Sequence, residues 1–199
     1  MNLLLVSCLL ATASAAVSSP SAVRGRPAVA KGRSPQEDDK LAVDAATRLW
    51  MKTVTSGSYM NAPAKTSALY APDAVLWGTV AEDVRSTPAS IRSYFDYFAN
   101  IPNLKVVDGS YHAVIQVMGV LGDTAVSSGY YTFCYPGPDG ELKMVPARFT
   151  FVYRRNPDST KGTEWEIINH HSSALPKQPE ALVSTSPKRR LYSPVKHHA

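Results

Sequence analysis

His170-His171-Ser172-Ser173 is the densest polar group in the chain that falls within a predicted strand. Successive strand residues point to opposite faces, so the two imidazoles cannot easily share one metal ion or one substrate. A serine beside a histidine in sequence is no catalytic pair either, because a triad needs convergence in space. The only other histidine in the body of the chain is His112, too few ligands for a zinc site, and no metal is expected. Arg148 alternates with Ala147, Phe149, Phe151 and Tyr153, which puts its guanidinium on the face opposite three aromatics. Against a helix-covered face that charge would need a carboxylate or a bound anion, whereas on a solvent face it needs nothing. Arg85 reads as a loop charge. Trp77, Tyr94, Phe95 and Tyr131 read most simply as core, although a sheet curled round helices also leaves room for a cavity lined by such rings. Walker loops, G-x-G-x-x-G, G-x-S-x-G, H-E-x-x-H and C-x-x-C are all missing, which removes the common nucleotide-binding and hydrolase signatures, and no cofactor is expected.

The elements that must position these residues are helices first and strands afterwards. Ser34-Pro35-Gln36-Glu37 has the form of a capping box with proline at the first helical position, and Val43, Ala46, Trp50 and Val54 continue at helical spacing to about Thr55, before Gly57. A shorter helix is expected over residues 64–69, a turn at Ala71-Pro72-Asp73 and a brief strand over 74–77. Thr87-Pro88 starts another helix with Ile91, Tyr94, Phe95 and Phe98 on one face. Strands are expected at 104–118, 123–135, 143–155 and 164–174, separated by short Gly, Pro, Asn and Asp clusters that suit hairpins. This order predicts an α+β domain, with helices covering one face of an antiparallel sheet. Both faces carry apolar rows, and helices can cover only one, so a sheet-mediated homodimer or larger ring is expected.

Composition sets the boundaries. With 199 residues, 44% of them hydrophobic and 19% charged, the chain suits one folded domain. The formal charge of +5 lies in the ends. Residues 17–35 hold four basic residues and no acid, and residues 177–199 five basic residues and one acid, while 36–176 is net −3. A basic nucleic-acid-binding fold therefore loses its main support. Leu3 to Leu10 followed by Ala13-Ser14-Ala15 reads as a signal peptide over residues 1–15, leaving no membrane span after its removal. Residues 16–35 read as a disordered linker or a transit segment, so the chain is expected in the secretory pathway or secreted, or in a plastid-like organelle through a two-part address. Residues 36–176 form the domain and 177–199 a disordered basic tail. Cys134 remains alone after signal removal and is expected to lie buried in a strand.

Leu69-Tyr70-Ala71-Pro72-Asp73-Ala74-Val75-Leu76-Trp77-Gly78, then Arg85-Ser86-Thr87-Pro88, Pro146-Ala147-Arg148-Phe149-Thr150-Phe151-Val152-Tyr153, and Trp165 with His170-His171-Ser172-Ser173-Ala174-Leu175-Pro176, together resemble the nuclear transport factor 2-like superfamily. Within it they look most like the group similar to the association domain of calcium/calmodulin-dependent protein kinase II, over about residues 36–176. The resemblance implies a cone of curved antiparallel sheet wrapped round N-terminal helices, self-association through the sheet and a deep pocket inside the cone. It implies no kinase activity. Arg148 lies two residues from a pocket arginine of the kinase domain, hence on the same face by strand parity. The ligand-binding set implied is Arg148, Trp77, Arg85, Tyr94, Tyr131, His171 and Ser173, with a small anionic molecule as ligand. The expected function is a noncatalytic, oligomerising binding module. The alternative is an enzyme similar to SnoaL-like cyclases or ketosteroid isomerases, for which His112 and His171 are the candidate bases because imidazole titrates near neutral pH.

Overall fold

The computed structural model describes residues 32–119, 122–156 and 163–176, so the expected signal peptide, most of the linker and the basic tail lie outside the described residues. Helix α1 spans Pro35–Val54 and begins at the expected box: Glu37 N donates to Ser34 Oγ at 3.2 Å and Ser34 N to Glu37 Oε2 at 2.7 Å. A single 3-10 turn at Ser58–Met60 leads to α2 (Ala62–Ser67) and β1 (Tyr70–Trp77), and α3 (Pro88–Phe98) follows its own Thr87 cap. The remaining strands are β2 (Lys105–Val106), β3 (His112–Met118), β4 (Thr124–Pro136), β5 (Leu142–Arg155) and β6 (Trp165–Ala174).

They form one curved, unclosed sheet in the order β1-β6-β5-β4-β2, with β3 also pairing β4. All pairings are antiparallel except that of β1 with β6. The α+β arrangement is as expected; three details differ. Strand β1 begins at Tyr70 instead of 74, because the Ala71-Pro72-Asp73 segment is absorbed as an irregularity in the pairing between Tyr70 and Val75. Proline, which has no amide to give a ladder, is tolerated at such a place. The single strand expected over 104–118 is two, since the chain turns at residues 107–110 and Ser110 Oγ accepts the Thr132 amide at 3.0 Å. Cys134, expected buried, is half-buried.

The helices pack on one face, where β5 contributes Ala147, Phe149, Phe151 and Tyr153 and β4 contributes Ala125, Ser127, Tyr131 and Phe133. Trp50 of α1 is the centre of this core, with its ring 5.0–6.4 Å from those of His170, Phe151, Tyr131, Phe95 and Phe133. Gly129 allows the sheet to bend there: a Cβ at that position would lie 1.8 Å from the carbonyl oxygen of His112 on β3.

Candidate functional site

The polar residues of the core lie in chains anchored on aromatic hydroxyls. Trp50 Nε1 donates to Tyr70 Oη at 3.1 Å, and Tyr70 Oη lies 2.7 Å from His170 Nδ1. The His170 ring stacks on Phe151 at 3.8 Å, and its Nε2, wholly buried, has no hydrogen-bond partner. Burial, with a smaller push from His171, lowers the His170 pKa to about 3, so this imidazole is neutral and weakly basic near pH 7. A second chain runs from Tyr131 Oη, which donates to Ser172 Oγ at 2.8 Å, to Thr79 Oγ1 at 2.5 Å from the same serine. Tyr94 is buried nearby, stacked on Phe98, and burial drives its hydroxyl well above the ordinary phenol range, as it does for Tyr131.

The opposite face of the sheet gathers the other polar candidates. Cross-strand neighbours share a face. One row therefore runs His112 on β3, Tyr130 on β4, Arg148 on β5 and Ser173 on β6. The next runs Val114, Ser128, Thr150, His171 and, on β1, Trp77. Arg148 Nε donates to Ser173 Oγ at 3.0 Å, and Ser128 and Thr150 hydroxyls lie 3.3 Å apart. A groove of about 500 Å³ opens here, lined by Val114, Ser128, Tyr130, Arg148, Thr150 and His171.

The candidate residues thus divide between two faces instead of meeting in one interior pocket. Tyr94 and Tyr131 are interior. Arg148, His171, Ser173, Trp77 and His112 come together outside, where Trp77 is 48% exposed. Arg85 belongs to neither set: its backbone bridges Leu76, its guanidinium reaches Ser93 Oγ at 3.3 Å, and its Nε is buried without a partner. The interior placement inferred for Arg148 by parity is corrected, because the aromatics alternating with it take the helix-covered side. His171 is likewise outside, since Ile168 is an extra residue between the Val152–Asn169 and Tyr153–Ile167 pairs. That bulge reverses the inside-outside alternation counted from the buried Trp165. The inward histidine is His170, which with Tyr70, Ser172 and Thr79 was missed. Pairing His170 with the aromatic row of β5 was the available signal, for it sits opposite Phe151.

Among the described residues no three His, Cys, Asp or Glu side chains converge as a metal site would need, and no helix is long and apolar enough to cross a membrane. A second groove of about 340 Å³ lies between α1 and the β2–β3 turn, but Arg48 there is held by Asp44 at 2.7 Å and lies over the Tyr111 ring.

Comparison with known proteins matches residues 39–176 to the calcium/calmodulin dependent protein kinase II association domain. A crystal structure from Xanthomonas campestris, described as such an association domain, is 35% identical, with 68% of this chain and 87% of that one covered and a TM-score of 0.57. The S. rosetta CaMKII hub is 19% identical over 72% of this chain and 98% of its own, at a TM-score of 0.55. A protein from Streptomyces avermitilis, described as a dehydratase of the NTF2-like family, is 21% identical over 70% of this chain and 98% of its own, at 0.57. These last two share the fold. No curated protein matches.

Proposed function

This chain belongs to the calcium/calmodulin-dependent protein kinase II association-domain family, and from that premise we propose that it is a noncatalytic domain which assembles with copies of itself through the outer sheet face and binds a small molecule. The observation that supports assembly is the character of that face. Val114 is 72%, Leu142 62%, Tyr130 54% and Met144 51% exposed, all on strands whose other side is the core. Apolar area of that extent is unusual on a soluble monomer and ordinary on a surface covered by a partner. The S. rosetta relative is by its name a hub. Light scattering at micromolar concentration should give at least two chain masses; a single-chain mass throughout would sink the assembly.

The enzyme reading requires a base inside the cone. His112 and His171 are on the outer face, and His170, the imidazole that is inside, is held neutral with its pKa near 3. A base so weak at neutral pH supports binding over proton abstraction. A small molecule that co-purifies and is not turned over would support the binding module. We also propose that residues 1–15 direct the chain into the secretory pathway, tested by mapping the mature N-terminus: a start near Ala16 means one cleavage, and a start near Ser34 a second one.

A further inference from the structure

We propose that the outer-face groove is an anion site that two copies complete, with Arg148 of each chain as its cation and a small oxyanion or carboxylate as its ligand. This rests on the self-association proposed above and adds what that association must solve. Arg148 gives its Nε to Ser173 Oγ at 3.0 Å, which fixes the plane of the guanidinium and leaves the two terminal nitrogens directed elsewhere. Among the described residues no carboxylate forms an ion pair with them.

The charge inventory of the face explains why. The groove lining offers hydroxyls from Ser128, Thr150 and Tyr130 and the His171 imidazole, with no acid among them. The acids at its margins are engaged: Asp73 and Glu166 with Arg154, and Asp139 with Lys143, each at 2.9 Å. Pairing the face on its own copy about a two-fold axis through the groove sets groove against groove. The result is an enclosed polar cavity with two guanidinium forks and no negative charge, an arrangement that burial makes strongly unfavourable unless an anion enters. A planar fork matches the oxygens of a carboxylate or phosphate, and two forks facing each other suit an anion shared between chains. His112 and His171 are the remaining titratable groups on this part of the face, and neither supplies negative charge at any pH.

The test uses inorganic phosphate at constant ionic strength, with sedimentation velocity on the wild-type chain, Arg148→Gln and Arg148→Lys. Phosphate should tighten wild-type dimerisation about tenfold or more, because it binds only the paired form. Arg148→Gln should dimerise without phosphate at least as well as wild type and gain nothing from it. Arg148→Lys should recover only part of the response, lacking the fork. A wild-type dimer indifferent to phosphate would overturn the site, as would an equal phosphate response in Arg148→Gln. Phosphate-independent pairing that weakens in Glu141→Gln would also overturn it, by showing that a carboxylate from the second copy neutralises Arg148. A monomer in all three chains under all conditions would instead overturn the self-association itself.

Discussion

The imidazole of His170 is 2% exposed, stacked on Phe151 and hydrogen-bonded only through Nδ1, so a charge on it would have almost no solvation to replace what it loses. The unfolded chain takes a proton there near pH 6.5, whereas the folded chain does so only near 3. Between those values the unfolded state binds more protons, and stability falls as pH falls; above 6.5 the group contributes no pH dependence. The slope has a ceiling of about 1.4 kcal/mol per pH unit, so a loss on the order of 2 kcal/mol between pH 6.5 and 4.5 is expected from this residue alone. Asp73, held below the usual carboxylate range by Arg154, adds a loss of the same sign at lower pH, but it is fully exposed. His170→Phe keeps an aromatic ring on Phe151 and removes the titration. Urea unfolding at pH 7, 5.5 and 4.5 should show a flatter pH dependence in the variant than in wild type, and parallel curves would refute the assignment.

At the scale of the elements, what could be read from the sequence was whatever depends on neighbours in the chain. Helix α1 announces itself through Ser34, Pro35 and Glu37, and the interior row of β5 through the strict alternation of Phe149, Phe151 and Tyr153. What could not be read depends on a partner strand. The bulge at Ile168 has no local signature, yet it decides that His170 points in and His171 out, and with that shift one candidate base leaves the interior. The division of 104–118 into β2 and β3 similarly depends on Ser110 meeting the Thr132 amide of β4. Gly129 is a third case, unremarkable in sequence and tightly constrained in the sheet. Its missing Cβ would collide with backbone, the His112 carbonyl at 1.8 Å, and backbone cannot swing aside as a side chain can. Gly129→Ala should therefore destabilise by about 1–3 kcal/mol, in the range of overpacked sites, measured by urea unfolding. A loss under ~0.5 kcal/mol, typical of surface changes, would mean that β3 can retreat and that the bend is not set by close approach.

For the whole molecule, the question is why one face of the sheet is closed by helices and the other carries large exposed side chains. Helices α1 and α3 bury the aromatic row under Trp50, and nothing in the described residues covers Val114, Tyr130, Leu142 and Met144. If a second copy covers them, charge placed there should cost association and leave folding intact. Leu142 and Met144 are suitable probes because both lie on the outward side of β5, 62% and 51% exposed, away from the core and from the Arg148 groove lining. Glutamates at both positions would be well solvated in a single chain, where such surface changes usually stay within ~0.5 kcal/mol each. In a self-paired face they would bring four carboxylates together out of water, two from each copy, and like charges so placed cost several kcal/mol. The Leu142→Glu, Met144→Glu double variant should therefore elute at half the wild-type mass or less in light scattering, with a urea midpoint close to that of the dissociated wild-type chain. An unchanged assembly mass would show that copies meet elsewhere, and a collapsed midpoint would show that these side chains serve the fold of the single chain.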